Sequence, residues 1–584
     1  MKKIVSIISV ISLIITLNSC DGFLNVVPKQ VVDESLLTDD VEGFVTSAYA
    51  YIGLHPSWES PFSPWWAGSM RADDSYKGGF GVADAGDGWG YMETFVNLTP
   101  NGWPLDSPWT FMYEHIQRCN IAIWQMERVT EKDFPQKSIR VGEMKFLRAY
   151  LHLKLKQFFK YAPYLDETIE PNIDYATIPN KDPNYPDDMY LWEKILADFK
   201  DAENRLPDIQ QHKGRVDKNA ATAMVARTLM FMAYEQDDYH QVKNINKERL
   251  AEALTYIDKL TIQEGQKVGL EPDFSNNFMP EFDNIRKETI WELQFSINDG
   301  SSRGGKVNYG EGLNHPHGGW SGFQCCGFHH ASYTMGNAFK TTVDGLPIFD
   351  DYNKLSYEEE RDVYFDKYTF DPRFSHTIVA PGQPWKYDPE LLFVESAIRG
   401  IPDYGYFKSV KELVHPDCGC LLLTGWQFNS MNKQMIRYDE ILLWKAEILI
   451  QLDRWDEALE PINKVRQRAA NSTKKLVMAD GTPVLNYKCE IYKPGVNCIW
   501  NKDFAWQAME WENRLEMACE GRRFFDLQRW GTLEKTMNAY FNIEKNRFAW
   551  ISVGIFTAGR DEYFPIPQTQ INKVKGNYTQ NVGY

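Results

Sequence analysis

The sequence predicts a mainly α-helical protein built from helical hairpins, with a large, irregular, loop-rich lobe inserted. Three observations support this fold class. Apolar residues recur at three- and four-residue spacing in several paired segments, which is typical of amphipathic helices. Residues 272–432 lack that spacing and are rich in Gly, Pro, His, Tyr and Phe. Hydrophobic residues make up 43% of the 584, enough for a buried core.

The first twenty residues have the pattern of a bacterial export signal. Lys2 and Lys3 precede an apolar run from Ile4 to Leu17, which is shorter than the roughly 20 residues of a membrane-spanning helix. The run ends in Leu17-Asn18-Ser19-Cys20, which resembles the lipobox of bacterial lipoproteins. We therefore expect residues 1–19 to be a signal peptide and Cys20 to carry a lipid anchor. The alternative is an ordinary secretory signal with an unmodified Cys20.

Helical spacing predicts three hairpins between about residues 38 and 261. Their paired segments are Asp39–Leu54 with Pro108–Val129, Ser138–Tyr161 with Met189–Leu206, and Lys218–Tyr234 with Glu248–Leu260. The linkers differ greatly in length, so the pattern indicates an array with large insertions and not a regular solenoid.

A fourth hairpin, at about residues 435–470, has the clearest helical spacing. Ala446 and Ala458 lie on its two helices, with Trp455 at the turn, which resembles one tetratricopeptide unit. Beyond it the spacing predicts one helix over Phe504–Trp530 within a C-terminal region of residues 504–584. We expect residues 272–432 to be loops and short strands packed against the helices.

Composition and motifs narrow the possible functions. Lys and Arg number 63 and Asp and Glu 80, giving a net charge of -17, which argues against a nucleic-acid partner. The sequence lacks an HExxH motif and a phosphate-cradling Gly-Lys-Ser/Thr motif. We therefore expect no catalytic residues, no enzymatic activity and no cofactor. Eight cysteines after Cys20 are too few for a disulfide scaffold, and Cys489 with Cys498 is the first pair to test.

Seven ordered segments resemble the SusD/RagB family of outer-membrane nutrient-binding lipoproteins. The helical segment from Arg514 to Gly531, Arg-Leu-Glu-Met-Ala-Cys-Glu-Gly-Arg-Arg-Phe-Phe-Asp-Leu-Gln-Arg-Trp-Gly, is the most specific match. The others are Asp21-Gly22-Phe23-Leu24-Asn25-Val26-Val27-Pro28, Phe146-Leu147-Arg148-Ala149-Tyr150, Ala338-Phe339-Lys340 with Asp344-Gly345-Leu346-Pro347-Ile348, Asp371-Pro372-Arg373-Phe374, Ile436-Arg437-Tyr438-Asp439-Glu440-Ile441-Leu442-Leu443, and Phe564-Pro565-Ile566-Pro567 with Gln580-Asn581-Val582-Gly583-Tyr584.

The resemblance implies that residues 20–584 form a single unit, with tetratricopeptide-like helices on one side and an irregular lobe on the other. It also implies a lipoprotein facing the cell exterior, anchored in the outer membrane, that binds oligosaccharides and delivers them to a SusC-like TonB-dependent transporter. The charged residues of the most specific motif are expected to be structural, satisfying one another or the backbone along a partly buried helix. They are Arg514, Glu516, Arg522, Arg523 and Asp526.

Aromatic residues make up an unusual 14% of the chain, and their placement suggests a binding surface. Six of the 19 tryptophans lie between Trp58 and Trp109, among glycines and prolines that cannot form a continuous helix. A sugar ring needs flat aromatic platforms beside hydrogen-bonding groups. The candidates for glycan binding in this segment are Trp65, Trp66, Arg71, Asp73, Trp89 and Trp103. The alternative is that these tryptophans fold back as core over the helices.

A second aromatic and polar cluster runs from His315 to His330. It adds His317, Trp320 and Phe323 to the glycan-binding candidates, with Trp320 as part of the platform. Its histidines and cysteines invite a zinc interpretation, but adjacent Cys325 and Cys326 would point to opposite faces of an extended segment. We expect no metal site there, nor in the similar run from His415 to Cys420.

Two other functions remain open on the sequence. A glycoside hydrolase would need two carboxylates about 5 to 10 Å apart, and a pair such as Asp73 with Asp87 carries little information. A scaffold without a ligand of its own would use the helical hairpins to hold a protein partner.

Overall fold

The computed structural model describes most of the chain from residue 40 onwards. The described residues are 40–54, 58–169, 175–182, 184, 188–300, 304–355, 357–424, 426–574 and 576–584. The predicted signal peptide, the first hairpin's residue 39 and the predicted lipid-bearing Cys20 lie outside these ranges. None of the helices within them is long and apolar enough to cross a membrane.

Six helices form a consecutive array in the N-terminal half. They are α1 Val41–Ile52, α2 Asp106–Glu127, α3 Lys137–Phe159, α4 Met189–Arg205, α5 Lys218–Ala233 and α6 Lys247–Thr261. Each helix packs against the next along the chain, so the three predicted hairpins are confirmed. Side-chain caps set three of the starts: Asp40, Asp217 and Asn246 each accept a hydrogen bond from a backbone N–H in the first turn.

Five more helices complete the helical side. They are α7 Tyr438–Gln451, α8 Leu459–Asn471, α9 Lys502–Glu516, α10 Arg523–Trp530 and α11 Leu533–Glu544. Helix α7 packs on α6, α8 and α9, and the small residues Ala446 and Ala458 are fully buried at these contacts, as predicted.

The single helix predicted over Phe504–Trp530 is wrong, because α9 and α10 are separate. Gly521, between them, has a positive φ of 73°. A Cβ on Gly521 would lie 2.6 Å from the carbonyl oxygen of Pro64, and one on Gly68 would lie 2.3 Å from the oxygen of Gly521. Only residues without a side chain allow so close a crossing of two chain segments. The helix is therefore interrupted to let residues 64–68 pass.

Short strands and turns make up the inserted lobe, as predicted. Its four-stranded antiparallel sheet has the order Ser75–Gly78, Phe328–Ala331, Lys408–Ser409 and Ile378–Val379. The two-stranded antiparallel pairs of the lobe are Thr289–Leu293 with Lys433–Arg437, Lys340–Thr341 with Thr369–Phe370, Pro384–Trp385 with Asp388–Leu392, and Leu421–Leu423 with Gln427–Asn429. Its short α-helices are Tyr333–Ala338, Tyr364–Lys367, Arg373–Thr377 and Ile401–Tyr404. Outside the lobe, the strands Tyr234–Gln236 and Val242–Ile245 pair between α5 and α6, and short α-helices lie at Asp87–Thr94 and Gln568–Lys573. The protein is thus mainly α-helical, with a loop-rich lobe.

A buried ionic network fastens the lobe to the helices. The guanidinium of Arg373, on the lobe, lies 2.7 Å from Asp371, 2.6 Å from Glu512 and 2.9 Å from Glu516 on α9. All four side chains are fully buried. Glu516 also pairs with Arg468 on α8. Since each charge has an opposite partner, the network can exist in the interior, and it joins three distant parts of the chain.

Candidate functional site

Three of the predicted sugar-stacking tryptophans are core residues. Trp65, Trp66 and Trp89 have no exposed surface. The rings of Trp65 and Trp89 meet edge to face with centroids 4.6 Å apart, and Trp66 stacks on Phe564 at 5.8 Å. A ligand cannot stack on a ring that the protein already covers, so their assignment to a sugar platform is wrong. The segment instead folds back over the helices, because its large aromatic surface gains most by burial.

Arg71, a predicted hydrogen-bonding candidate, is also buried. Its guanidinium lies between the rings of Phe524 and Phe564, at 4.0 and 3.9 Å from their centroids. One of its nitrogens donates to the carbonyl oxygen of Asp561 at 2.9 Å. The side chain thus joins the tryptophan-rich segment to α10 and the C-terminal tail, and the prediction of a ligand contact is wrong.

Asp73 takes part in a buried ion cluster instead of a binding surface. Its carboxylate accepts hydrogen bonds from Arg514 at 2.6 Å and from Arg523 at 2.9 Å. Burial opposes its ionisation, but these two guanidiniums hold the pKa of Asp73 at about 2. The prediction of a ligand contact is wrong, and the same pairing makes Asp73 unsuitable as one of two hydrolase carboxylates. It follows that residues of the most specific family-like motif are structural, as predicted, but through distant partners and not only along their own helix.

The neighbouring carboxyl of Asp74 provides a pH-dependent test of this packing. Burial, with a smaller contribution from the charge of Asp73, raises the pKa of Asp74 from 3.8 to about 7. Because the folded-state pKa is raised, the native state is favoured below the unfolded pKa and loses that stability as the pH rises through about 7. We expect Asp74→Asn to be more stable than the parent at about pH 8, by on the order of 3 kcal/mol, and to lose this advantage below about pH 4. Urea unfolding at several pH values measures this difference, and a pH-independent difference would contradict the assignment.

Trp320 keeps part of its surface exposed to solvent, whereas Phe323 is buried beneath it and packs against its ring. Phe323 is fully buried in a small second core, and its ring is stacked against Trp320 with centroids 6.2 Å apart. Trp385 and Phe393 meet Trp320 edge to face at 5.3 and 5.4 Å. The assignment of Phe323 as a ligand contact is therefore wrong. Trp320 is half-buried and held by three rings, and His317 is half-buried nearby in the same loop.

An exposed tryptophan pair was missed by the sequence analysis. The rings of Trp58 and Trp426 lie edge to face with centroids 5.1 Å apart, and Trp426 is 42% exposed. Trp426 lies between the strands Leu421–Leu423 and Gln427–Asn429, at the end of a hairpin. Trp58 belonged to the tryptophan-rich segment, but the isolated Trp426 had no neighbour in sequence to reveal it. The Gly-Trp pair of the sequence, which follows the apolar run 421–423, was the available signal.

Five aromatic side chains of these loops keep exposed surface, and together they are named the loop face: Trp58, Phe80, Trp103, Trp320 and Trp426. Phe80 is 72% and Trp103 48% exposed. Trp103 lies 5.6 Å from the buried Trp89, which in turn contacts Phe328 in the lobe sheet.

Hydrogen bonds join the separate loops of the loop face. Arg399 pairs with Asp84 at 3.0 Å and donates to the carbonyl oxygen of Cys326 at 3.2 Å. The side-chain oxygen of Gln427 accepts from the backbone N–H of Cys325 at 3.0 Å. The loop face thereby combines flat aromatic rings with a partly exposed guanidinium and carboxylate. This is the chemistry that a sugar ring requires.

The cysteines form bonds that the sequence did not predict. Cys325 is joined to Cys326 and Cys418 to Cys420, so none of these four offers a thiolate to zinc. Cys489 and Cys498, the pair named as the first to test, are both free. The histidines beside the first disulfide pack in the interior, where burial lowers the pKa values of His315 and His330 to about 3.

One group of carboxylates in the described part of the chain could geometrically reach a single ion. Glu288, Asp439 and Glu516 bring oxygens within 4.8 Å of one another. Arg437 lies 2.8 Å from Asp439, and Arg468 lies 2.6 Å from Glu288. These guanidiniums already provide the compensating positive charge, so the group is part of the ionic network.

Comparisons with known proteins agree with this architecture. The profile of the SusD family matches residues 287–584, and a profile described as starch-binding, associating with the outer membrane, matches residues 89–230. The SusD-like protein P38 of Formosa agariphila is 21% identical over 91% of this chain and 92% of its own.

Solved structures share the fold over nearly the full length. A laminarin-binding SusD-like protein superposes with a TM-score of 0.63 at 20% identity, over 93% of this chain and 99% of its own. Surface glycan-binding protein A from Bacteroides thetaiotaomicron, in complex with laminarihexaose, gives a TM-score of 0.55 at 19% identity, over 93% and 98%. With a profile match over half of its residues and this shared architecture, the chain belongs to the SusD family.

Proposed function

We propose that this protein is an outer-membrane lipoprotein that binds oligosaccharides on its loop face without cleaving them. It delivers them to a SusC-like TonB-dependent transporter. The exposed aromatic surface of the loop face, in a chain of the SusD family, carries the proposal. The names of two structural neighbours, which bind laminarin and laminarihexaose, support a carbohydrate as the ligand class.

The platform of the proposed site is smaller than the sequence suggested. Of the nine glycan-binding candidates, Trp103, His317 and Trp320 retain exposed surface and stay in the proposal. Trp58 and Trp426 join them because their rings form an exposed pair. A shallow, solvent-facing platform of this kind binds weakly and releases its ligand readily, which suits transfer to a transporter.

The lipid anchor and the transporter complete the proposal. The export signal and the residues Leu17-Asn18-Ser19-Cys20 support lipidation of Cys20 and a position on the cell exterior. The outer-membrane association named in the matching profile supports the same location. A protein that is anchored to a membrane but does not span it cannot carry an oligosaccharide across. A transporter partner would provide that route.

A glycan array with residues 20–584 tests this function. We expect retention of a restricted set of oligosaccharides, with no new reducing ends after prolonged incubation. Release of reducing ends would instead identify a glycoside hydrolase. If no glycan is retained at millimolar affinity, the hairpin array remains as a scaffold for a protein partner, and the proposal fails.

A further inference from the structure

A long groove lies on the helical side, along helix α2. Its volume is 1020 Å³, at the upper end of the ~300–1,000 Å³ that ligand pockets commonly occupy. One wall is the face of α2 that carries Tyr113, Gln117 and Trp124. Residues 163, 165–169 and 175–176 form a second wall, and residues 570, 573, 574 and 578 contribute a third. None of the residues of the loop face lines this groove.

Aromatic rings are fixed at intervals along the groove. Trp124 is half-buried, with the guanidinium of Arg128 4.2 Å from its ring centroid. Tyr113 packs on Trp109 at 5.2 Å, and its hydroxyl donates to the carbonyl oxygen of Pro163 at 2.9 Å. Tyr175, on the second wall, is 39% exposed. The hydrogen bond and ring contacts hold these faces in place before any ligand arrives.

Polar groups alternate with the rings on the same face of α2. Glu114, Gln117 and Glu127 are exposed there. The side chain of Asn120 spans the groove floor, donating to the carbonyl oxygen of Leu165 at 3.1 Å. Positions 113, 117, 120 and 124 follow helical spacing, so rings and amides form one continuous strip.

This alternation distinguishes between possible occupants. An apolar protein segment or an acyl chain laid along α2 would remove water from the carboxylates of Glu114 and Glu127 without replacing their hydrogen bonds. A sugar offers apolar ring faces to Trp124 and Tyr175 and hydroxyls to the carboxylates and amides beside them.

We propose that the α2 groove is a second oligosaccharide-binding site, separate from the loop face. The inference rests on the proposed carbohydrate function and adds a second binding site for the same class of ligand. Two sites on one protein would let a single polysaccharide chain bind at both. Binding at the first site would raise the effective concentration of the polysaccharide at the second, so the polysaccharide would be retained longer at the cell surface.

Calorimetric titration of residues 20–584 with laminarihexaose and maltohexaose tests the groove. We expect part of the hexasaccharide binding to take place in the groove. Trp124→Ala should weaken the affinity of this part about tenfold or more, Tyr175→Ala should also weaken it, and Trp124→Tyr should preserve it. The double variant Trp58→Ala/Trp426→Ala should retain this component. Circular dichroism checks folding, and Tyr175→Ala carries the test if Trp124→Ala fails to fold.

The outcomes separate this inference from the proposed function. If hexasaccharide binding is lost in the loop-face double variant and unchanged by Trp124→Ala and Tyr175→Ala, the groove proposal is overturned and the proposed function stands. If neither hexasaccharide binds the parent chain, the groove proposal is overturned, and the glycan array decides the proposed function. A peptide of residues 21–39 whose binding depends on Trp124, with no hexasaccharide competition, would assign the groove to that segment and also overturn the proposal.

Discussion

Replacement of Arg373 by alanine is expected to destabilise the protein by about 3–5 kcal/mol, enough to threaten folding at physiological temperature. The substitution leaves Asp371, Glu512 and Glu516 buried beside one another without their shared guanidinium, which lies 2.6 to 2.9 Å from all three. Arg466 and Arg468 still pair with Glu512 and Glu516, but the three buried carboxylates then share less positive charge. A buried charge that loses part of its compensation is among the few mechanisms that produce losses of this size. Urea unfolding followed by circular dichroism gives the free energy of unfolding.

A surface ion pair provides the control for Arg373→Ala. Arg454 and Glu457 are 2.7 Å apart but about half exposed, so Arg454→Ala should change stability little. Arg373→Lys should recover only part of the loss, because lysine cannot form several directed bonds at once. Equal effects of Arg373→Ala and Arg454→Ala would show that the network does not hold the lobe to the helices.

The second large effect is expected on glycan affinity at the loop face. Trp426→Ala should weaken binding of a glycan retained on the array by about tenfold, or ~1.4 kcal/mol, and Trp58→Ala should do the same. Each variant removes one ring of the exposed edge-to-face pair, whose centroids lie 5.1 Å apart. The double variant should lose less than the sum, because the two rings support each other.

The matched control is Trp506→Ala. Trp506 is half-buried on α9, and its ring centroid lies 5.6 Å from that of Trp530. Its replacement therefore removes one tryptophan without changing the loop face. Calorimetry on all variants measures the affinities. If Trp426→Ala and Trp506→Ala bind alike, the sugar does not stack on the Trp58–Trp426 pair and the location of the site is wrong.

Most of the helical architecture could be predicted because it depends on local periodicity. The paired helices α1 to α8 follow from apolar spacing, and their bounds differ from the predictions by a few residues. The interruption between α9 and α10 could not be predicted in this way. It arises where Gly521 meets Pro64, a contact between residues more than four hundred positions apart.

The binding surface was only partly predictable, since composition locates tryptophans without showing which are covered. Trp66 and Trp58 lie in the same glycine- and proline-rich segment, yet Trp66 is fully buried and Trp58 is half-exposed. Which ring is covered depends on distant partners: Phe564 covers Trp66, whereas Trp58 meets Trp426 at the surface. Arg71 and Asp73 were misassigned for the same reason. Aromatic rings near the C-terminus cover the guanidinium of Arg71, and two arginines near the C-terminus neutralise the carboxylate of Asp73.

The helix pairs, the irregular lobe between them and the family resemblance could all be predicted, because spacing and ordered motifs are properties of the linear chain. Which aromatic rings face solvent, which charges pair in the interior and where a groove remains open along α2 became known from the folded structure. Burial and ion pairing depend on contacts between residues far apart in the chain, and local pattern does not encode which of those contacts will form.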